Sequence, residues 1–194
     1  MKQPTVTETT KTVAKKAASV IGGNPTVHTY WDDDEQSHVG LLSAADRPVT
    51  GVTAYSTAGL AEHQVYMGDK EVPFRLEFCG ACGSQFDSFD RVIATAAFFV
   101  INSRWYCEPG MIFDGLISMY DASPTMEHLF FLPPFLWEDL GELQVGDLTV
   151  AWLLAVPISE AERSFAVRHG WDSLEDLFVE RQIDIFDLER ASEV

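Results

Sequence analysis

The chain is poor in cysteine, poor in positive charge, and has no apolar run long enough to cross a membrane. Its three cysteines are Cys79, Cys82 and Cys107. An odd number of cysteines, with no export signal in view, argues against a disulfide framework and for a reducing, cytoplasmic setting. The longest apolar stretch, VIATAAFFVI from Val92 to Ile101, falls short of the roughly 20 residues that span a bilayer. The N-terminal lysines are not followed by the apolar core of a signal peptide. Lysine and arginine total 13 against 30 aspartates and glutamates, a net charge of −17. The first 16 residues carry Lys2, Lys11, Lys15 and Lys16 against Glu8, four minus one, so the remainder carries −20. Such a surface repels nucleic-acid phosphates and anionic lipid, so neither direct nucleic-acid binding nor membrane binding is expected. It serves solubility, and it also speeds encounter with a basic partner.

Catalytic signatures are missing as well. There is no G-x-S-x-G elbow, no H-E-x-x-H helix, no H-x-E followed by P-C-x-x-C, and no phosphate loop of either common type. A cysteine nucleophile would have to be Cys107, with His128 as base and Asp114 as orienter, a trio supported by residue type alone. No catalytic residue and no cofactor is therefore assigned, and the chain is expected not to be an enzyme.

What is present begins with CGACG, Cys79 to Gly83. Two thiolates at this spacing are half of a zinc site, but tetrahedral zinc needs two more ligands, usually a second close pair. The chain offers only Cys107 and the scattered His28, His38, His63, His128 and His169, so no metal site is expected. A redox pair would place its first cysteine at a helix N-terminus. Here the next helix is expected about five residues after Cys82. The two cysteines read instead as small residues closing a strand, with Gly80 and Gly83 turning the chain toward that helix. Asp32-Asp33-Asp34-Glu35 is the densest acidic cluster. Ser37 stands where a calcium loop needs glycine, so the cluster reads as a solvated hairpin turn or as a partner contact. The last helix, apolar and acidic through Glu175, Asp176, Glu180, Asp184 and Asp187, has the same two readings.

No repeat, low-complexity tract or linker divides the sequence, so residues 1–194 are expected to form one domain, with about 1–8 flexible. A first helix with Val13, Ala17, Val20 and Ile21 on one face stops at Gly22-Gly23. Strands follow at Val27–Trp31, His38–Ser43 and Val52–Thr57. HQVYM and VPFRLEFC form a hairpin candidate through Gly68-Asp69. In VPFRLEFC, Phe74, Leu76 and Phe78 face one way; Arg75, Glu77 and Cys79 face the other. A buried helix from about Asp87 to Asn102 is capped by Asp87 or Ser88. The second half holds a strand and turn in MIFDGLISMY, a strand before Pro133-Pro134, and a central strand from Leu148 ended by Pro157. Ser159 and Glu162 then make a capping box, and the helix they start stops at His169-Gly170. The last helix buries Leu174, Leu177 and Phe178. Strands and helices do not alternate strictly, so the expected class is α+β: a mixed, mostly antiparallel sheet packed by helices.

Several of these stretches carry a resemblance. YWDDD (Tyr30–Asp34), GVTAYSTAGL (Gly51–Leu60), FRLEF (Phe74–Phe78), Glu108-Pro109-Gly110, VAWLLAVPISEAE (Val150–Glu162) and HGWDSLEDLF (His169–Phe178) make the chain similar to the suppressor of fused family in its short bacterial form. The resemblance covers roughly residues 10–188. Bacterial members of this kind look like immunity proteins of polymorphic toxin systems, one close group being encoded beside nuclease toxins of the LXG class. The resemblance thus implies a protein that binds a cognate toxin, a basic nuclease, and neutralises it without catalysis; the alternative is a general interaction module that holds an endogenous regulator. The animal protein has a second domain for which this chain is too short, so no peptide-binding residues carry over. Asp32, Asp33, Asp34 and Glu35 are the candidate partner-binding residues.

Overall fold

The structure, a computed structural model, describes residues 6–194. The expected flexible N-terminus lies outside them over residues 1–5; Thr7 already caps the first helix, accepting the Thr10 N–H at 3.1 Å. In chain order the elements are α1 (Glu8–Ile21), β1 (Thr26–Trp31), β2 (His38–Ala45), β3 (Val52–Ala58), β4 (Tyr66–Met67), β5 (Lys70–Glu71), β6 (Phe74–Gly83), α2 (Phe89–Ser103), β7 (Ile112–Phe113), β8 (His128–Leu132), β9 (Glu142–Val145), β10 (Leu148–Ile158), α3 (Glu160–His169) and α4 (Trp171–Arg181).

One sheet organises them in the order β1-β2-β3-β6-β10-β8-β7, with β9 also on β10 and β4-β5 apart as a small ribbon. Every adjacent pair is antiparallel except the central β6–β10 pair, so the sheet is mixed and mostly antiparallel as the sequence implies. Helix α2 covers one face, packing on Leu41, Leu76, Phe78, Phe131 and Leu153. Helices α1, α3 and α4 cover the other, packing on Leu42, Ala54, Cys79, Leu132, Trp152 and Val156. Because both faces are covered, β10 carries apolar residues at nearly every position, which is why it reads as a continuous run, whereas β6 keeps Arg75 and Glu77 between its apolar residues.

Three expectations are corrected. The hairpin at Gly68-Asp69 joins β4 to the two-residue β5, not to β6; β6 instead pairs β3 and β10. Ser88 occupies the N-cap position of α2 but makes no side-chain capping bond. Finally, β10 does not stop at Pro157 but runs on to Ile158. Beyond Leu154 it has lost β6 as a neighbour, and Pro157 turns its carbonyl away from β8 to accept Arg190 Nη2 at 3.1 Å. A residue's N and O point to the same side of a strand, so the missing N–H faces no ladder partner. The extra strand β9 is joined to β10 by Gly146-Asp147, with Gly146 at φ 61°, a two-residue hairpin signal present in the sequence.

Candidate functional site

The cysteine motif is strand. Residues Cys79 to Gly83 all belong to β6, so the glycines do not make the turn; it comes after them, where Phe86 N–H reaches Gly83 O at 2.9 Å. Gly80 is glycine because α2 crosses it: a Cβ there would lie 3.0 Å from Ile93 Cδ1 and 3.1 Å from Phe89 Cε1. Cys79 and Cys82 are three residues apart on a strand of period two, so they point to opposite faces of the sheet. Cys79 packs with Ala81 and Trp152 on the three-helix side, and Cys82 with Phe89 on the α2 side. They cannot share a metal ion or a disulfide in this fold. Burial raises both thiols, Cys82 to about 12. Among the described residues no group of three or more His, Cys, Asp or Glu could hold a metal ion.

Cys107, His128 and Asp114 are not brought together. Cys107 is wholly buried, and burial holds its thiol well above the ordinary value. His128 Nδ1 accepts the Gly115 N–H at 2.8 Å, which places the ring proton on Nε2, and Nε2 donates to Glu160 at 2.9 Å. No ring lone pair is left to act as base. Asp114 is bound instead by Arg163, whose guanidinium lowers its carboxyl.

The acidic cluster is the tip of the β1–β2 hairpin, and its four residues have separate roles. Asp32 is committed to the turn: Oδ1 accepts Gln36 N–H at 2.7 Å and Ser37 N–H at 3.0 Å, and Oδ2 accepts Asn102 Nδ2 at 3.0 Å. These donors, the Ser37 N–H foremost, hold its carboxyl below the usual range. Ser37 Oγ also reaches Asn102 Oδ1 at 2.6 Å, so the tip is fastened to the C-terminal end of α2. Glu35 takes the left-handed conformation, φ 52°, that completes the turn. Asp33 and Asp34 line a cleft of about 580 Å³ between hairpin and helix, beside Trp31, Phe98, Met119 and Tyr120. Neither they nor Glu35 forms a salt bridge among the described residues.

The stretches that carry the family resemblance meet each other in space. Glu77, from FRLEF, is wholly buried and accepts Thr57 Oγ1 at 2.5 Å, Gly59 N–H at 3.0 Å and Ala61 N–H at 3.1 Å. These donors belong to the end of GVTAYSTAGL and the turn after it. Thr57 Oγ1 in turn accepts the Phe78 N–H at 2.7 Å. Burial pushes the Glu77 carboxyl up to about 7 against the opposing pull of those donors. Likewise Gly110, from Glu108-Pro109-Gly110, lies under Trp171, from HGWDSLEDLF: a Cβ at Gly110 would come within 2.6 Å of the indole. Sequence reading placed Glu77 with Cys79 on one face of the strand but did not see that this face is covered. The available signal was an acidic residue in the middle of a central apolar strand.

The sequence pattern of the suppressor of fused proteins matches residues 35–191. The immunity protein YqcF of Bacillus subtilis (strain 168) is 45% identical over 190 residues, 97% of this chain and 99% of that protein. A crystal structure of a suppressor of fused homologue from Neisseria gonorrhoeae FA 1090 superposes with TM-score 0.72 at 16% identity, covering 96% of this chain and 97% of the other. The crystal structure of the Sufu–Fu complex gives TM-score 0.68 at 13% identity, covering 95% and 92%. At those identities the two structures speak to the fold.

Proposed function

This chain belongs to the suppressor of fused family, and we propose that it is an immunity protein that binds and neutralises a toxin encoded beside it. The carrying observation is the 45% identity to an immunity protein, which extends over almost the full length of both chains. We further propose that the toxin is a basic nuclease met in the cytoplasm. A nuclease must attract phosphates, and an inhibitor of net charge −17 is its electrostatic complement. In that role the chain acts by occupancy, without catalysis. Asp33, Asp34 and Glu35, exposed and in no salt bridge among the described residues, contribute to the field that guides encounter. Among the described residues no helix is long and apolar enough to cross a membrane.

Co-expression tests the proposal. The toxin gene's growth arrest should be relieved by this protein, and the two purified chains should form a 1:1 complex whose association slows as salt rises. Absence of both rescue and complex would sink it. The rival, an interaction module for an endogenous regulator, has the same fold as the Sufu–Fu complex in its favour. It predicts a gene distant from any toxin, and a housekeeping partner on pull-down.

A further inference from the structure

The acidic last helix acquires a second feature in three dimensions. On the face of the sheet opposite α2, an apolar groove of about 420 Å³ runs between the loop after β8 and α4 with the segment that follows it. Its floor is Leu132 of β8, Val156 of β10 and Phe178 of α4, all buried. Its walls include Phe135 and Val179, which remain 47% and 74% exposed. Single exposed apolar residues are ordinary; two flanking a groove with an apolar floor make a patch that water covers poorly.

The lining contains two acids and no base. Glu175 and Asp184 stand in the groove wall, and neither forms a salt bridge among the described residues. Asp184 Oδ1 accepts the Phe186 N–H at 3.0 Å, and its other oxygen has no hydrogen-bond partner among the described residues. Glu175 is partly buried, and Asp172 and Asp176 on the same helix repel its charge; burial and these neighbours raise its carboxyl. The arginines near this end are engaged elsewhere: Arg181 with Glu193, and Arg190 with Glu162. A carboxylate that is partly desolvated, beside like charges and without a counter-ion, is stabilised by any cation brought against it.

We propose that this groove is the anchor point for the toxin. The fitting occupant is a toxin segment that places one aliphatic or aromatic side chain between Phe135 and Val179, with a lysine or arginine beside it against Glu175 and Asp184. Charge complementarity selects this occupant over a second copy of the chain. A self-complementary contact would set the same acids against each other, with a net −17 on both sides. The inference rests on the immunity proposal and adds to it the docking face and the chemistry of the partner. It also separates two roles. The hairpin acids on the α2 side act at long range on encounter, whereas the groove holds the complex once formed.

The test uses the full-length protein and the catalytically inactivated product of the neighbouring toxin gene, with binding kinetics and sedimentation. Val179→Arg puts bulk and a like charge where the occupant's apolar and basic groups would sit. It should speed dissociation by at least about tenfold with Tm unchanged. Glu175→Gln with Asp184→Asn should weaken binding and flatten its salt dependence. Should Val179→Arg fail to fold, Phe135→Ala, at the opposite wall, repeats the test. The inference is overturned if the wild type forms the complex and the groove variants all bind within about twofold of it. It is equally overturned if the wild type is a dimer that Val179→Arg turns into a monomer, since the occupant is then a second copy. A wild type that forms no complex at all removes the immunity proposal itself, and the anchor with it.

Discussion

Thr57 donates its hydroxyl to Glu77 at 2.5 Å, and both residues are wholly buried between β3 and β6. The same carboxylate holds the Gly59 and Ala61 N–H groups, so the turn leaving β3 is fixed by a charge-bearing group from the neighbouring strand. The end of GVTAYSTAGL, one of the stretches that carry the family resemblance, is thus a structural joint.

This joint makes stability depend on pH. Below 4.5 the Glu77 carboxyl is protonated in folded and unfolded chains alike; in the folded protein its value is about 7. As pH rises between these values the unfolded chain loses its proton first, so folding becomes less favourable, and the loss is complete above the folded value. Between pH 5 and pH 8 this group should lower stability by about 2–3 kcal/mol. Urea titrations of wild type and Glu77→Gln at both pH values isolate it: the variant should lack that part of the fall. A wild type and variant that move in parallel would show that the buried carboxyl does not titrate in this range.

The second prediction concerns Glu162 and Arg190. Their bidentate pair, 2.5 and 2.9 Å, is buried, and Glu162 also closes the capping box on the Ser159 N–H and accepts the Glu193 N–H. Removing one partner leaves a buried charge unpaired, so Arg190→Met should lower stability by about 3–5 kcal/mol. For a chain of this size that is on the order of 10 °C in Tm. Arg190→Met combined with Glu162→Gln should recover much of the loss, because no lone charge remains; calorimetry of the two variants makes the comparison.

Gly110 and Trp171 test the meeting of two distant motifs. Gly110 has φ +91° and the indole at its Cα, so Gly110→Ala meets both a strained backbone and a clash. The expected loss is about 2–4 kcal/mol. In a Trp171→Ala background the steric part should vanish and only the backbone part remain. Additive losses in a double-mutant cycle would show that the two residues do not touch.

The thiols supply a chemical test. All three are buried and raised, so at pH 8 none should react quickly with a disulfide reagent in the native protein, and all three should react once denaturant is added. Rapid labelling of Cys79 or Cys82 in the native state would contradict the placement of the motif in β6.

Within the acidic cluster, neighbours should behave differently. Asp32→Ala removes the acceptor for two backbone N–H groups and Asn102, and should lower Tm. Asp33→Asn with Asp34→Asn should leave Tm unchanged and slow toxin association at low salt. Equal effects on Tm from Asp32 and Asp33 substitutions would show that the cluster acts as one unit.

Much of this organisation is legible in local pattern. The capping box at Ser159 and Glu162, the stop at Gly170, and the buried face of α1 depend on neighbours a few residues away, and the sequence displays those neighbours directly. Composition alone sets the acidity, alternation marks the core face of β6, and apolar runs mark β10 and α2 as interior. Other features depend on contacts between residues far apart in the chain. Whether Glu77 faces water or core depends on the turn after β3 closing over it and donating the Gly59 and Ala61 N–H groups. Whether Cys79 and Cys82 can cooperate depends on β6 continuing through them as a strand, which beyond Cys79 is decided by pairing to β3. The docking groove arises only where the loop after β8 comes beside α4, bringing Phe135 within one cleft of Val179. Local periodicity determined the elements of this protein. Packing decided which acids became joints, which remained free, and where an apolar floor was left beside them.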